Sequence, residues 1–493
     1  MMKLLYPLKV VSMLLLLTCV AACSDWLGYT PKDKSTAEQQ FSSRDGFYSA
    51  VNGVYNRLLS RTLYGQNLTY GMLDIMSKRY NTGSSRDNLN YRYANYLYTD
   101  ASVRNSIDAI WRQSYAAILN ANVILQEADK RTDVLNETDH LLIRGDVLAL
   151  RAFLHFDMLR LFGPVYALNP EAVSIPYNDQ ASGQTYELLP AKTVIYEHLI
   201  PDLEQAEEYL KQVDPVRTEG ALASNNEDGD NYRRYRQLRL NYYAVLLLKA
   251  RVYLWAGDGE HALAEARKLI DDENVQSSFP FVDSDRLLGN TKDPDRVFSN
   301  EALFGLYDAQ REDIYPDYFD SANLGSSNSL LQPRSGYIND VFANQADYRF
   351  QSQWRAMGSL FDFVKYKRIE YNQNNIPFHA LFRPLIRLTE AYYIAAEAVW
   401  KTDQAAARRY LNSVLRARGL SELTDATSAA QFAETLRLEY VREMWGEGQI
   451  FYLFKRHYLR ITGNYNGDNA NTVGASNRVY VLPLPTSEQE NRQ

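Results

Sequence analysis

The chain has 493 residues, 46% of them hydrophobic and 23% charged, with a formal net charge of −7. An acidic balance of this kind argues against nucleic acid as a partner. The length is ample for a core that holds without disulfides, and only two cysteines, Cys19 and Cys23, are present.

The first 22 residues read as an export signal. Lys3 and Lys9 precede an apolar run from Val10 to Leu17, and small residues follow. The run is shorter than the ~20 residues of a membrane-spanning helix. Val20-Ala21-Ala22-Cys23 is similar to a bacterial lipobox, in which cleavage falls before the cysteine and the cysteine is lipidated. Cys23 is therefore the expected lipidation site. Residues 23–40 are the expected lipidated tether, and several acyl chains would suffice for stable anchoring. Loss of the two signal lysines would take the charge from −7 to −9.

Helices are expected over 44–60 and 103–128, with a loop between them (64–100) dense in tyrosine, asparagine and glycine. The strongest pattern spans Asp139 to Phe162. Ile143, Val147, Leu150, Leu154, Met158 and Leu161 recur at three- and four-residue steps, predicting one apolar stripe. Gly163-Pro164 should stop that helix. A further helix is expected over 191–213, followed by a polar loop over 214–235.

An internal repeat comes next. Ala250, Trp255, Asp258 and Ala262 recur as Ala395, Trp400, Asp403 and Ala407 at identical spacing. Each copy predicts a helical hairpin with an aspartate at the start of its second helix. Tyr253, Ala262 and Ala266 also fit the tetratricopeptide spacing, and such hairpins must stack to bury their faces. Between the copies, residues 275–380 lose helical periodicity. They are rich in Asn, Ser, Gly, Pro, Asp and aromatics, a composition suited to binding loops on a rigid scaffold.

Catalytic patterns are weak. None of the six histidines forms a His-Glu-x-x-His pair, and there is no nucleophile elbow or phosphate loop. Glu137 and His140 are one turn apart but have no second copy, so a solvated helix end is expected. His155 reads as a structural histidine. The acidic stretch 225–231 offers oxygen ligands for a structural calcium but lacks the EF-hand spacing, so no cofactor is expected. Glu443 and Glu447, one turn apart, should pair with Lys455 or Arg456 rather than act as a glycosidase pair.

The chain has 37 tyrosines, apolar plates with a polar rim. A sugar site needs such plates together with Asn, Asp, Arg or Gln for the hydroxyls. Two regions combine them, 79–98 and 315–355, and from these the candidate ligand-binding residues are Tyr80, Asn81, Tyr96, Tyr337, Trp354 and Arg355.

In order along the chain, several blocks resemble the SusD/RagB family. They include Cys23-Ser24-Asp25-Trp26-Leu27, Phe47 to Tyr55, Leu150 to Val165, Asp347-Tyr348-Arg349 and Lys365-Tyr366. Arg387 to Ala398, Leu411 to Gly419, Glu439 to Arg456 and Val481 to Glu488 complete the series. The blocks read as scaffold rather than site. The resemblance implies a mainly α fold, a tetratricopeptide-like helical-hairpin scaffold with a loop-rich irregular subdomain. Its parts would be 41–274 (N-terminal helical), 275–380 (loop-rich) and 381–493 (C-terminal helical). It further implies a non-enzymatic, lipid-anchored outer-membrane protein at the cell surface. Such a protein captures glycan and passes it to a SusC-like TonB-dependent barrel. Peptide or other nutrient uptake, or a surface adhesin-like scaffold, are the alternatives.

Overall fold

The computed structural model describes residues 37–183, 185–221, 224, 231–289, 291–323, 330–358, 360–463 and 472–490. The signal segment, Cys23, the tether as far as residue 36 and the acidic residues 225–230 lie outside the described residues.

Helix α1 (Arg44–Leu58) starts at Ser43, whose side chain accepts from the Gly46 amide, and buries Phe47, Val51, Val54 and Leu58. The stretch 64–100 is less open than its composition suggests. It holds short helices at Met72–Met76 and Leu89–Ala94, and Tyr64, Tyr70, Tyr80, Tyr93 and Tyr96 are all buried. Four of these hydroxyls find partners within the protein: Tyr64 donates to Asp157 at 2.6 Å, Tyr93 to Ser106 at 2.6 Å, Tyr96 to Met76 O at 2.6 Å and Tyr80 to Asp74 at 3.4 Å.

Helices α2 (Ala101–Lys130) and α3 (Glu137–Phe162) form an antiparallel hairpin. Helix α3 ends at Phe162 as Gly163-Pro164 dictates, and the Gly163 amide closes the last turn on Leu159 O at 2.9 Å. It does not have a single apolar stripe. Every residue from Gly145 to Phe162 is buried, because α3 is wrapped on all sides. Its polar residues are paired inside the protein. Arg151 binds both carboxylate oxygens of Asp202, at 2.6 and 2.7 Å, and Asp146 meets Arg236 at 2.8 Å.

The path expected over 191–213 is helical but not uniform. A π-helical turn, Val194–Leu199, leads into α4 (Ile200–Val213). Pro201 explains the widening: it has no N–H to give, and its ring would clash with the carbonyl four residues back in a regular turn.

Both copies of the repeat are helical hairpins. Helices α5 (Tyr242–Trp255) and α6 (Gly259–Ile270) form the first, α7 (Thr389–Val399) and α8 (Gln404–Ala417) the second. Asp258 accepts from the His261 amide at 3.2 Å, and Asp403 from the Ala406 amide at 2.8 Å. Ala250, Ala262, Ala395 and Ala407 are fully buried, which lets the helices approach closely. Successive helices pack in series from α2 to α8, with α6 directly against α7. The two copies are thus neighbours in space despite the long insertion between them. Helices α9 (Ala429–Glu443) and α10 (Ile450–Arg456) follow, and a capping box of Ser428 and Gln431 opens α9.

The insertion is irregular, with three notable strands: β1 (Ala302–Tyr307), β2 (Trp354–Met357) and β3 (Leu360–Phe363). Strands β2 and β3 form a hairpin, while β1 pairs antiparallel with β4 (Phe382–Arg387), just before α7. Gly305 is required in β1, since a Cβ there would lie 2.3 Å from the Arg383 carbonyl oxygen.

Buried ion pairs tie the insertion to the C-terminal helices. Glu443 meets Arg349 at 2.8 Å and Arg418 at 2.7 Å, and also binds Arg387. Glu447 meets Lys365 at 2.5 Å and Arg387 at 3.0 Å. The expected pairing of Glu443 and Glu447 with Lys455 or Arg456 is therefore corrected. Lys455 instead donates to the carbonyls of Arg160 (2.7 Å) and Gly163 (2.8 Å), satisfying the end of α3. Arg456 pairs with Glu397 at 2.8 Å. Arg349, Lys365, Arg387, Arg418, Glu439 and Glu443 all come from the resemblance blocks, which accordingly mark scaffold.

Candidate functional site

The two regions singled out as tyrosine- and amide-rich are joined in space. The Asn81 amide donates to Gln332 O at 2.8 Å, and Gln332 Nε2 reaches Asp362 at 3.4 Å. Below this seam lies an aromatic cluster centred on Trp445. Ring centroids of Trp354, Tyr337 and Tyr80 lie 4.9, 5.9 and 6.1 Å from it. The Arg79 guanidinium sits over Tyr337 at 5.0 Å.

The β2–β3 hairpin divides its residues between two faces. Trp354 lies opposite Phe363, and both point into the cluster. Arg355 lies opposite Asp362 on the other face. Asp362 is a buried hub. It accepts from Tyr315 at 2.9 Å, from Arg355 at 3.1 Å and from the Ser321 amide at 3.1 Å. The Tyr315 hydroxyl sits far above its usual range, because burial and then the bond to Asp362 disfavour its anion, so it stays a donor.

Tyr80, Tyr337 and Trp354 are 4–7% exposed, and other rings cover their faces. They build the floor. Asn81 is exposed and the Arg355 side chain is 43% exposed, so these two reach solvent. Tyr96 stands apart from the cluster. Its hydroxyl donates to Met76 O at 2.6 Å, and its φ of 54° is a left-handed turn position.

Trp445, Asp362 and Asp74 belong to this site and have no signal in the sequence. Trp445 lies in a block that reads as scaffold, and the two carboxylates are isolated in loop-like stretches. Asp74 is fully buried, accepts from the Gly446 amide at 2.7 Å and lies 3.4 Å from the Tyr80 hydroxyl. Burial pushes its carboxyl up to about 7, against the lowering effects of the Gly446 amide and Arg79. Gly446 has a φ of +81°, which a side chain would strain, and this places its amide over Asp74.

His155, expected to be structural, is satisfied at both nitrogens. Nε2 accepts from the Asn178 amide at 2.9 Å, so Nδ1 donates to Arg151 O at 3.0 Å. Among the described residues, no group of three His, Cys, Asp or Glu side chains is placed to hold a metal ion.

This geometry is an aromatic floor beneath a polar rim. Comparison with known proteins agrees with the scaffold. A family model described as "SusD family" matches residues 330–489, and one described as "Starch-binding associating with outer membrane" matches residues 25–215. The chain belongs to the SusD family. Among relatives of this SusD-family chain, SusD-like protein P25 of Formosa agariphila is 25% identical over 333 residues. The match takes in 65% of this chain and 55% of that relative, so the chain spans about half of that relative's length. A SusD superfamily protein from Bacteroides thetaiotaomicron superposes with a TM-score of 0.68 at 22% identity, over 91% of this chain and 98% of the other. A SusD-like carbohydrate binding protein from Bacteroides vulgatus gives 0.68 at 18% identity, over 91% and 96%. At these identities the likeness is one of fold. Among the described residues, no helix is long and apolar enough to cross a membrane.

Proposed function

We propose that this SusD-family protein captures glycan at the outer surface of the cell and delivers it to a SusC-like TonB-dependent barrel. It is held there by lipid on Cys23 and works without catalysis or a cofactor. The observation that carries the reading is the match of residues 25–215 to the family model described as starch-binding and outer-membrane associated. The joined seam supports it. Asn81 and Arg355 offer an amide and a guanidinium to ligand hydroxyls, and the cluster of Tyr80, Tyr337, Trp354 and Trp445 holds them rigid. Tyr96 supports the same loop from behind. A preorganised rim of this kind loses little entropy when it binds. With a lipid leash keeping the protein near its barrel, a weak contact between them suffices.

Calorimetry of the detergent-solubilised protein against neutral and acidic polysaccharides, with a peptide digest as the other arm, tests the reading. Heat from one glycan class supports it. Heat from the digest alone replaces it with peptide uptake. Co-purification with a TonB-dependent barrel in mild detergent tests delivery, and recovery of the protein with no barrel would refute that step.

A further inference from the structure

A cleft lies beside α1, and none of its lining residues belongs to the Asn81–Arg355 seam. Two cavities, about 780 and about 310 Å³, share Asn52, Asn56, Leu238 and Arg239 in their walls and so adjoin along this cleft. That size is ordinary for a small-molecule or oligosaccharide site.

The floor is fixed. Tyr48 and Tyr232 stack with centroids 3.8 Å apart and planes 5° from parallel. Tyr48 donates to Asp139 at 2.7 Å and Tyr232 to Asp146 at 3.2 Å, so both rings are pinned from beneath. Arg44 lies 5.4 Å over Tyr48 and Arg239 lies 5.2 Å over Tyr232. At 3.8 Å the stack has no room between its rings, so a guanidinium caps each outer face.

The walls are polar and positive. Arg239 donates to the Asn52 side-chain oxygen Oδ1, while its buried Nε has no hydrogen-bond partner. Tyr307 forms part of the lining and is 44% exposed, an open ring in a protein that buries most of its aromatics. The lining carries three arginines, Arg44, Arg234 and Arg239, against one carboxylate, Asp45. The whole chain is at −7, so this concentration of positive charge is local.

We propose that this cleft binds an acidic saccharide, a chain whose rings carry carboxylate or sulfate groups. Tyr307 covers an apolar ring face. The amides of Asn52 and Asn56 meet hydroxyls. Arg44 and Arg239, on opposite faces of the stack, each take a separate anionic group of the chain, since a planar guanidinium matches paired carboxylate or sulfate oxygens. The site is separate from the Asn81–Arg355 seam, so the reading given there can fail while this one stands.

The test uses the detergent-solubilised full chain and three probes: tetragalacturonate, a sulfated galactan tetrasaccharide and maltotetraose. At least one anionic probe should bind, and raising salt from 20 to 300 mM should weaken it. The arm that binds distinguishes carboxylate from sulfate. The double variant Arg44→Gln/Arg239→Gln should weaken binding about tenfold or more, the loss of one to two charge-assisted hydrogen bonds. Arg416→Gln, a surface change on α8, should leave it unchanged. Arg239 also packs on Tyr232, so melting is followed for each variant. Where the double variant has lost its fold, Asn56→Leu, an exposed change in the wall common to both cavities, decides instead. Silence from both anionic probes overturns the proposal. So does maltotetraose binding as tightly as they do, or binding that persists in the folded variants.

Discussion

Arg418 holds Glu443 through two bonds of 2.7 and 3.0 Å and passes the contact on to Glu301 at 2.6 and 2.8 Å. All three side chains are fully buried. Glu443 also serves Arg349 and Arg387, so one carboxylate offsets charge on three guanidinium groups. Those arginines hold Glu443 well below the usual carboxylate range in spite of its burial. Glu443→Gln should destabilise the protein by about 3–5 kcal/mol at pH 7, the cost of leaving buried partners uncompensated. A depressed pKa adds stability that is present above the unfolded value, near 4.3, and is lost as pH falls toward the folded one. The gap between wild type and variant should therefore narrow below about pH 4. Urea unfolding at pH 7 and pH 3.5 checks both parts, and a gap under about 1 kcal/mol at pH 7 would show that the network is redundant.

Asp74 has the opposite sign. Burial raises its carboxyl to about 7, so the folded protein binds a proton there that the unfolded chain has already released. The contribution is present below about pH 4 and lost as pH rises through 7. Asp74→Asn keeps an acceptor for the Gly446 amide and removes the charge. It should lie within about 0.5 kcal/mol of wild type at pH 4 and exceed it at pH 8.5 by up to about 4 kcal/mol. Melting curves at the two pH values read this directly, and a difference independent of pH would mean that Asp74 ionises freely.

The scaffold was legible because its signals are local. The Asp258 and Asp403 caps, the Gly163-Pro164 stop and the alanines of the repeat each act within a few residues. The hub at Asp362 was not legible. It depends on Tyr315, Ser321, Gln332 and Arg355 meeting across loops, and no period or spacing encodes such contacts. The partners of Glu447 are hidden from the sequence for the same reason. Lys455 is near in sequence, but Lys365 and Arg387 are near in space. The burial of the tyrosines within 64–100 was not legible, because tyrosine suits both a wet surface and a core, and only a partner such as Asp157 or Ser106 decides which.

The two aspartate caps allow a check on the repeat. Each satisfies an otherwise free amide at the start of the second helix of its hairpin. Asp258→Ala and Asp403→Ala should each cost about 1 kcal/mol. The caps belong to different hairpins and each accepts from an amide of its own helix, so the double variant should cost their sum to within about 0.5 kcal/mol. A strong departure from additivity in urea unfolding would mean that the stacked hairpins communicate through their turns.

Trp354 and Arg355 are adjacent in sequence and face opposite ways across β2. Trp354 is packed between Phe363 and Trp445, at 4.7 and 4.9 Å, so Trp354→Ala should cost about 3–5 kcal/mol of stability through the cavity it leaves. Arg355 is half open to solvent, and Asp362 keeps its bonds to Tyr315 and Ser321 without it, so Arg355→Ala should shift stability by less than about 1 kcal/mol. Its effect should fall on ligand instead. Loss of one charged hydrogen bond lowers glycan affinity about tenfold or more. Measuring melting and calorimetric affinity on both variants separates floor from rim. If Trp354→Ala alone lowered affinity while its melting stayed unchanged, the ligand would be touching the tryptophan, and the buried cluster would have to open to admit it.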